Sequence, residues 1–284
     1  MLYEERFDPA RLDRFAFAAR KVPELMHWQL VECPVCDLLF ASPAPNPGGL
    51  AAAYRDAGYD SAEEARYAAE TYGELLREVV PRLPAVGGVL DVGAGNGAFL
   101  RVLRERGFGD LTGVEPSRAA LNAADADIRP LIREGVFRAR DFEPGRFRMV
   151  SILHLVEHLS EPLAAFRHAQ GLLRSGGALF VVCHDRRAPL NRLLGQRSAI
   201  YDVEHLQLFG RGSLQALLER AGFPKVEIRR FPNRYPLRYW LRLAPLGSAK
   251  TGLIAALDRV RVGSLPLTLP VGNLVAVAWK DAAA

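Results

Sequence analysis

From residue 88 onward, short apolar runs alternate with stretches in which apolar positions recur every three to four residues. The short runs suit buried strands, and the longer period suits helices packed on them. Runs at 88–93 (GVLDVG), 111–115 (LTGVE), about 128–132, 148–153 (RMVSIL), 178–183 (ALFVVC), 225–231 (KVEIRRF) and 273–279 (NLVAVAW) predict strands. Helices are predicted near 97–106, 117–124, 162–174 and 213–221. The last places Leu214, Leu217, Leu218 and Ala221 on one face, with Ser213 as its cap and Gly222 as its stop, residue types suited to those two ends. This alternation predicts an α/β fold with a parallel sheet and crossover helices.

Upstream the texture changes. Residues 61–80 predict a helix capped by Ser61 with acids in its first turn, where they complement the helix dipole. PRLPAVGG at 81–88 breaks it. Residues 1–60, with prolines at 43, 45 and 47, read as a small N-terminal extension, and 61–284 as the main domain. Within that domain 232–272 reads as an insertion before the last strand. It contains an aromatic, basic stretch at 235–247 (YPLRYWLRLAPLG) and an amphipathic one at 251–262 (TGLIAALDRVRV).

Composition excludes several classes. Hydrophobic residues at 49% and charged ones at 24% fit a globular protein rather than a disordered one. The net charge of +5 comes almost wholly from arginines scattered among Asp and Glu, with no basic block, so nucleic acid is not an expected partner. MLYEERFDPAR lacks an apolar signal segment, and no apolar run approaches the roughly 20 residues that span a bilayer. The expected location is cytoplasmic, with peripheral membrane contact left open by the 235–247 stretch. The odd cysteine count, with one C-x-x-C, is no disulfide framework.

The chemistry concentrates at Val89-Leu-Asp-Val-Gly-Ala-Gly-Asn-Gly-Ala-Phe-Leu100. A strand runs into Gly93, Gly95 and Gly97 and then a helix, so the backbone can turn sharply and approach a ligand. A second strand ends at Glu115, where a carboxylate can accept both hydroxyls of a ribose lying across the strand ends. Gly93-x-Gly95-x-x-Ala98 also satisfies the dinucleotide fingerprint, which keeps an NAD-dependent oxidoreductase as a rival. Against it stands Asp91, two residues before the first glycine, where an acid suits a cationic amino-acid tail better than a pyrophosphate.

In combination these motifs resemble class I S-adenosylmethionine-dependent methyltransferases over about 85–230. Asp91 through Gly97 is similar to the family's first motif, and Glu115-Pro116-Ser117 to its ribose-binding acid and helix start. His154-Leu-Val-Glu-His158 with Ser160-Glu-Pro162, the turn Leu172–Gly177 and Glu204-His-Leu-Gln-Leu-Phe209 resemble the ubiquinone-type O-methyltransferase branch. That branch commonly has Glu where this chain has His154. The resemblance implies a Rossmann-like, doubly wound seven-stranded mixed sheet with one antiparallel strand. It implies S-adenosyl-L-methionine as cofactor, held by Asp91, Gly93, Gly95, Gly97, Glu115, Pro116 and His154. For the adenine, Asp141 or the backbone of Gly135–Phe137 is available.

His154-x-x-Glu157-His158 also matches a metalloprotease pattern. That chemistry needs a settled helix, whereas His154 is expected at a strand end with the helix starting only near Ser160. His205, His154 and His158 are the candidate catalytic residues, with His205 as general base on a loop expected over the strand ends. His184, Asp185 and Tyr201 are candidates for substrate contact, and Tyr54, Tyr59, Tyr67 and Tyr72 for a lid. Cys33-Pro-Val-Cys36 resembles the second half of a zinc ribbon. With His27 as a third donor it still lacks the fourth ligand of a structural zinc, so no metal is expected. The expected function is methyl transfer to a small-molecule acceptor, O-methylation by preference. C- or N-methylation of a sugar-type acceptor and a non-catalytic cofactor-binding partner subunit remain as alternatives.

Overall fold

The computed structural model describes residues 2–19, 23–244 and 249–282. The N-terminal part contains β1 (Leu2–Tyr3), β2 (Leu30–Glu32), β3 (Leu39–Ala41), α1 (Pro47–Asp56) and α2 (Ala62–Leu75). There follow β4 (Gly88–Val92), α3 (Ala98–Glu105), β5 (Leu111–Glu115), α4 (Arg118–Asn122), β6 (Ile132–Glu134), β7 (Phe147–Leu153), α5 (Pro162–Leu172) and β8 (Leu173–His184). The chain ends through α6 (Pro189–Leu194), β9 (Gln207–Leu208), α7 (Arg211–Arg220), β10 (Lys225–Pro236), α8 (Leu237–Leu243), α9 (Ala249–Arg259) and β11 (Pro266–Trp279).

Seven strands form one sheet in the order β10-β11-β8-β7-β4-β5-β6. All run parallel except β11, which is antiparallel to both β8 and β10. The Rossmann-like mixed sheet is therefore present. Its strands are apolar on both sides because both faces are covered. One face packs Tyr72 of α2 and Phe99, Leu100 and Leu103 of α3. The other packs Phe166 of α5 and Leu214 and Leu218 of α7. Strand order reverses at β4, since β5 and β6 are laid on one side of it and β7 and β8 on the other. A crevice opens at such a point beyond the C-terminal ends of the strands.

The N-terminal extension is tied down by a second sheet, β1-β2-β3-β9. Its last strand comes from the loop carrying His205, so residues 30–41 lie against that loop. Buried Arg186, just past β8, clasps the β2–β3 turn through Asp37 (2.5 Å) and Glu32 (3.2 Å).

Several boundaries differ from expectation. The third strand starts at Ile132 rather than 128, because Arg129–Leu131 is a 3-10 turn containing Pro130, whose ring supplies no backbone donor. Helix α7 begins at Arg211 with Gly210 as N-cap, and Ser213 sits one turn in, its hydroxyl accepting the Gly210 N–H at 2.9 Å. Ser61 is buried but its hydroxyl makes no capping bond to α2. Residues 232–272 are not wholly an insertion: β10 runs on to Pro236 and β11 begins at Pro266, making a long hairpin with α8 and α9 beyond it. Pro245, Leu246 and Gly247 of the aromatic stretch lie outside the described residues. No described helix is long and apolar enough to cross a membrane.

Candidate active site

A cavity of about 810 Å³ occupies the crevice beyond the strand ends. At one end it is lined by the β4 turn, the end of β5 and the backbone of Gly135–Phe137. Gly93 and Gly95 there have φ of 77° and 55°, the left-handed region where a Cβ is unfavourable. A Cβ on Gly95 would meet nothing within 4 Å, so that glycine leaves open space in the crevice. The Gly95 N–H donates to Glu115 Oε2 and the Ser117 N–H to Oε1, both at 2.8 Å. Burial nevertheless raises the Glu115 pKa against those two bonds.

Asp91 lies behind Gly93, 2% exposed, and accepts the Ser151 hydroxyl at 2.6 Å. Burial, only partly offset by Ser151 and reinforced by Glu115, pushes its pKa up to about 7. Two acids a short distance apart in a buried crevice make a place where a cation is favourable. A ligand bearing hydroxyls and a cationic tail fits this end.

The other end of the cavity is walled by Tyr72, Tyr235, Tyr239 and Trp240 and carries His154, His158, His184 and His205. Adjacent histidine rings are 4.5 to 5.2 Å apart from His154 through His184 and His205 to His158. Their protons can be ordered from their partners. His205 Nδ1 faces the Ile200 carbonyl at 2.8 Å and His158 Nδ1 faces the Glu204 carbonyl at 3.1 Å. The Ile200 carbonyl only accepts, so His205 Nδ1 donates to it and His205 Nε2 keeps its lone pair, whereas His158 Nδ1 shares the Glu204 carbonyl with the Tyr54 hydroxyl, 2.8 Å from that nitrogen. His184 Nδ1 donates to Asn273 Oδ1 at 3.0 Å, while Asn273 Nδ2 donates to His154 Nε2 at 3.3 Å. That leaves the His154 proton on Nδ1, 3.6 Å from Glu157 Oε1.

Glu157 is wholly buried and accepts the His184 backbone N–H at 2.7 Å. Burial alone would raise its pKa, but the hydrogen bond from His154, together with the positive charge that the neighbouring histidines carry when protonated, outweighs burial and holds the carboxyl well below the usual range. Burial lowers His158 and His205, the latter well below the ordinary histidine value, and takes His184 down to about 4. All three are therefore neutral at pH 7. Two trios, His154–Glu157–His184 and His158–Glu204–His205, bring their ligand atoms within 4.8 Å of one another, a donor set that a divalent metal could use.

Of the residues singled out from sequence, Asp91, Gly93, Gly95, Glu115, Pro116, His154, His158, His184 and His205 line this one cavity. Gly97 does not. It caps α3 at φ 77°, and a Cβ there would stand 2.3 Å from Ile128 Cγ2, so its glycine serves packing. Asp185 and Tyr201 are also off the wall. Asp185 is spent on the Arg187 N–H (2.9 Å) and Arg230 Nε (2.6 Å). Tyr201 packs its ring against Tyr3 and His27 under the second sheet. Tyr54, Tyr59 and Tyr72 reach the cavity, whereas Tyr67 lies beside Arg66 and Arg234. Asp141 falls outside the lining, and Gly135–Phe137 within it. His154 sits after β7 at φ 48°, followed by a 3-10 turn at Val156–His158, and α5 starts only at Pro162. The protease arrangement of a continuous helix is therefore absent.

Sequence reasoning passed over Ser151, Glu157, Asn233 and Asn273. The signal was there for three of them, since Ser151 interrupts an apolar strand and Asn233 and Asn273 stand in strands that are otherwise largely apolar at their buried positions.

The family described as a methyltransferase domain matches residues 64–228. Among curated relatives, a ubiquinone biosynthesis O-methyltransferase of Pseudomonas paraeruginosa is 30% identical over 134 residues, covering 44% of this chain and 54% of the relative. One from Alkalilimnicola ehrlichii is 30% identical over 132 residues, covering 44% and 51%. The chain thus spans about half the length of the curated relatives it matches. A crystal structure of a SAM dependent methyltransferase from Archaeoglobus fulgidus shares the fold, with a TM-score of 0.53 at 19% identity over 77% of this chain and 97% of that one. With the family match extending over more than half of its length, the chain belongs to the class I S-adenosylmethionine-dependent methyltransferases.

Proposed function

We propose that the chain moves the methyl group of S-adenosylmethionine to a hydroxyl of a small acceptor, with His205 as the general base. The observation that carries this reading is one cavity with two unlike ends, an acidic glycine-lined crevice and an aromatic chamber ringed by histidines. In the crevice Asp91 would meet the ammonium of the cofactor's amino-acid tail, Glu115 the ribose hydroxyls, and the Gly135–Phe137 backbone the adenine. Pro116 and His154 would border it. The cofactor supplies a methyl group already activated on a sulfonium, so the chain's task is alignment and exclusion of water.

A hydroxyl acceptor must also lose a proton. His205 Nε2 has its lone pair available because Nδ1 is committed to Ile200. Burial keeps the ring unprotonated at neutral pH, ready to take the proton as the oxygen attacks. His158 and His154 flank the same space, and His184 would contact the acceptor. The Tyr and Trp walls favour an acceptor with an apolar body. The O-methyltransferase relatives support oxygen over nitrogen or carbon as the nucleophile. On this reading 61–284 is the methyltransferase domain, and the extension supplies cavity wall through Phe17, Leu50 and Tyr54.

The test is transfer of labelled methyl from S-adenosylmethionine to a panel of phenols, quinols, sugars and amines, followed by mapping of the label. Label on oxygen with wild-type protein, lost with His205→Ala, is the expected result. Label on nitrogen or carbon, or full turnover by His205→Ala at saturating substrates, would contradict it. Cofactor binding without turnover on any acceptor would favour the partner-subunit alternative.

A further inference from the structure

On β10, Phe231, Asn233 and Tyr235 are buried while Pro232 and Arg234 between them are exposed, the alternation of a strand with one covered face. Phe231 and Tyr235 belong to the apolar core that also holds Tyr72 and Trp240. An amide thus stands where the pattern calls for an apolar side chain. Asn233 is only 4% exposed, and its Oδ1 has no hydrogen-bond partner among the described residues. A buried, unpaired amide oxygen destabilises a fold, so a group outside the chain is needed to offset it.

Neighbouring polar groups of the aromatic chamber are already engaged. Asn273 bridges His184 and His154, Trp240 Nε1 donates to the Leu267 carbonyl at 2.9 Å, and His205 Nδ1 donates to Ile200. Asn233 stands outside these bonds, at a place where the β10–β11 hairpin opens. Phe231 pairs with Asn273 and Asn233 with Leu269, so Pro232 alone stands opposite Pro270, Val271 and Gly272. Such irregularities occur beside active sites, where they re-aim side chains. Asn233, Leu269, Val271 and Gly272 all line the cavity.

We infer that Asn233 determines acceptor specificity by holding a second hydroxyl of the acceptor, one that is not methylated. The inference rests on the chamber being the acceptor site. A terminal amide torsion is two-fold, so either Oδ1 or Nδ2 can face the cavity. A hydroxyl suits both settings, because it donates to Oδ1 or accepts from Nδ2, whereas an ether can only accept. An analogue with a plain C–H there leaves the amide unpaired and is rejected. Phe231, Asn273 and His184 lie in register across β10, β11 and β8, a span of two strand spacings, about 10 Å. Asn233 is therefore remote from the histidines. The acceptor class is a flat apolar body with hydroxyls on different edges, and the hydroxyl at Asn233 decides which other oxygen meets the methyl group.

The experiment is calorimetric titration of protein saturated with S-adenosylhomocysteine. The probes are 2,6- and 2,7-naphthalenediol, their monomethyl ethers, 2,3-naphthalenediol and 2-naphthol. One of the two remote diols should bind about tenfold more tightly than its ether, than the 2,3-diol and than 2-naphthol, the scale of one hydrogen bond in a buried site. Asn233→Leu should abolish that preference and leave affinity for 2-naphthol and S-adenosylhomocysteine unchanged. Its urea midpoint should rise, since an unpaired buried amide is removed. A merely structural amide would give a lower midpoint with the preference intact. That result, remote diols bound no better than their ethers, a preference surviving Asn233→Leu, or no binding of any probe would overturn the proposal. Failure of the wild type to bind S-adenosylhomocysteine would instead overturn the reading on which it rests.

Discussion

The Ser151 hydroxyl donates to Asp91 Oδ1 at 2.6 Å, across the β7–β4 register that places these two residues side by side. That bond favours the ionised form of a carboxyl whose pKa burial has nevertheless raised to about 7 from an ordinary 3.8. The direction fixes two outcomes. In the absence of ligand, the folded state holds a proton between about 4 and 7 that the unfolded chain has released. Asp91 therefore contributes a loss of stability as pH rises through that window, complete above about 7. A cationic ligand selects the ionised form, so S-adenosylhomocysteine affinity should be flat above pH 8 and weaken below 7. Calorimetry at pH 6 in buffers of different ionisation enthalpy should show proton release on binding. Proton uptake, or affinity rising toward low pH, would mean that Asp91 does not meet the tail.

The glycines of the β4 turn should separate by substitution. Gly97→Ala forces a Cβ to within 2.3 Å of Ile128 at φ 77° and should destabilise the fold by about 1–3 kcal/mol in urea titration, an overpacking cost. Cofactor affinity of the remaining folded protein should change little. Gly95→Ala meets no atom within 4 Å, so beyond backbone strain of roughly 1–2 kcal/mol its effect should be a methyl group in the cofactor crevice. Its signature is weakened S-adenosylhomocysteine binding.

The contrast between these glycines shows what the sequence could carry. The apolar runs and the glycine turn made the sheet and the cofactor crevice legible, because both depend on residues close together along the chain. Gly97 could not be told from Gly95 in that way, since its neighbour Ile128 is 31 residues away. His184 and Asp185 are adjacent in sequence, yet alternation along a strand end sends one into the cavity and turns the other to Arg230. The packing of Tyr201 was not legible in sequence, because the second sheet pairs β3 with β9 across more than 160 residues. The histidine cluster was half visible. Four candidate histidines could be named from sequence, but their order and the roles of Asn273 and Glu157 arise only when β7, β8 and β11 lie together.

Substitution of Asp185 should mark the difference between a buried anchor and a substrate contact. Asp185→Asn weakens the pairing with Arg230 and should lower stability while leaving the acceptor KM unchanged. A raised KM with unaltered stability would return Asp185 to the substrate site.

His205→Ala should lower kcat by about 10²–10⁴, the usual range for loss of a general base, with unchanged affinity for S-adenosylhomocysteine. His158→Ala should cost less. Because burial takes His205 well below the ordinary histidine value, kcat of the wild type should show no acid limb near the unperturbed pKa of about 6.5. An acid limb there would assign the base to another group.

The account rests on the crevice between Asp91 and Glu115 being the S-adenosylmethionine site. Isothermal titration of wild-type protein and Glu115→Ala with S-adenosylmethionine, S-adenosylhomocysteine and NAD tests this most directly. The account predicts binding of the first two and not of NAD, with at least about a tenfold loss in the variant, the scale of charged hydrogen bonds to two hydroxyls. Preference for NAD, or undiminished sulfonium binding by a folded Glu115→Ala, would contradict it.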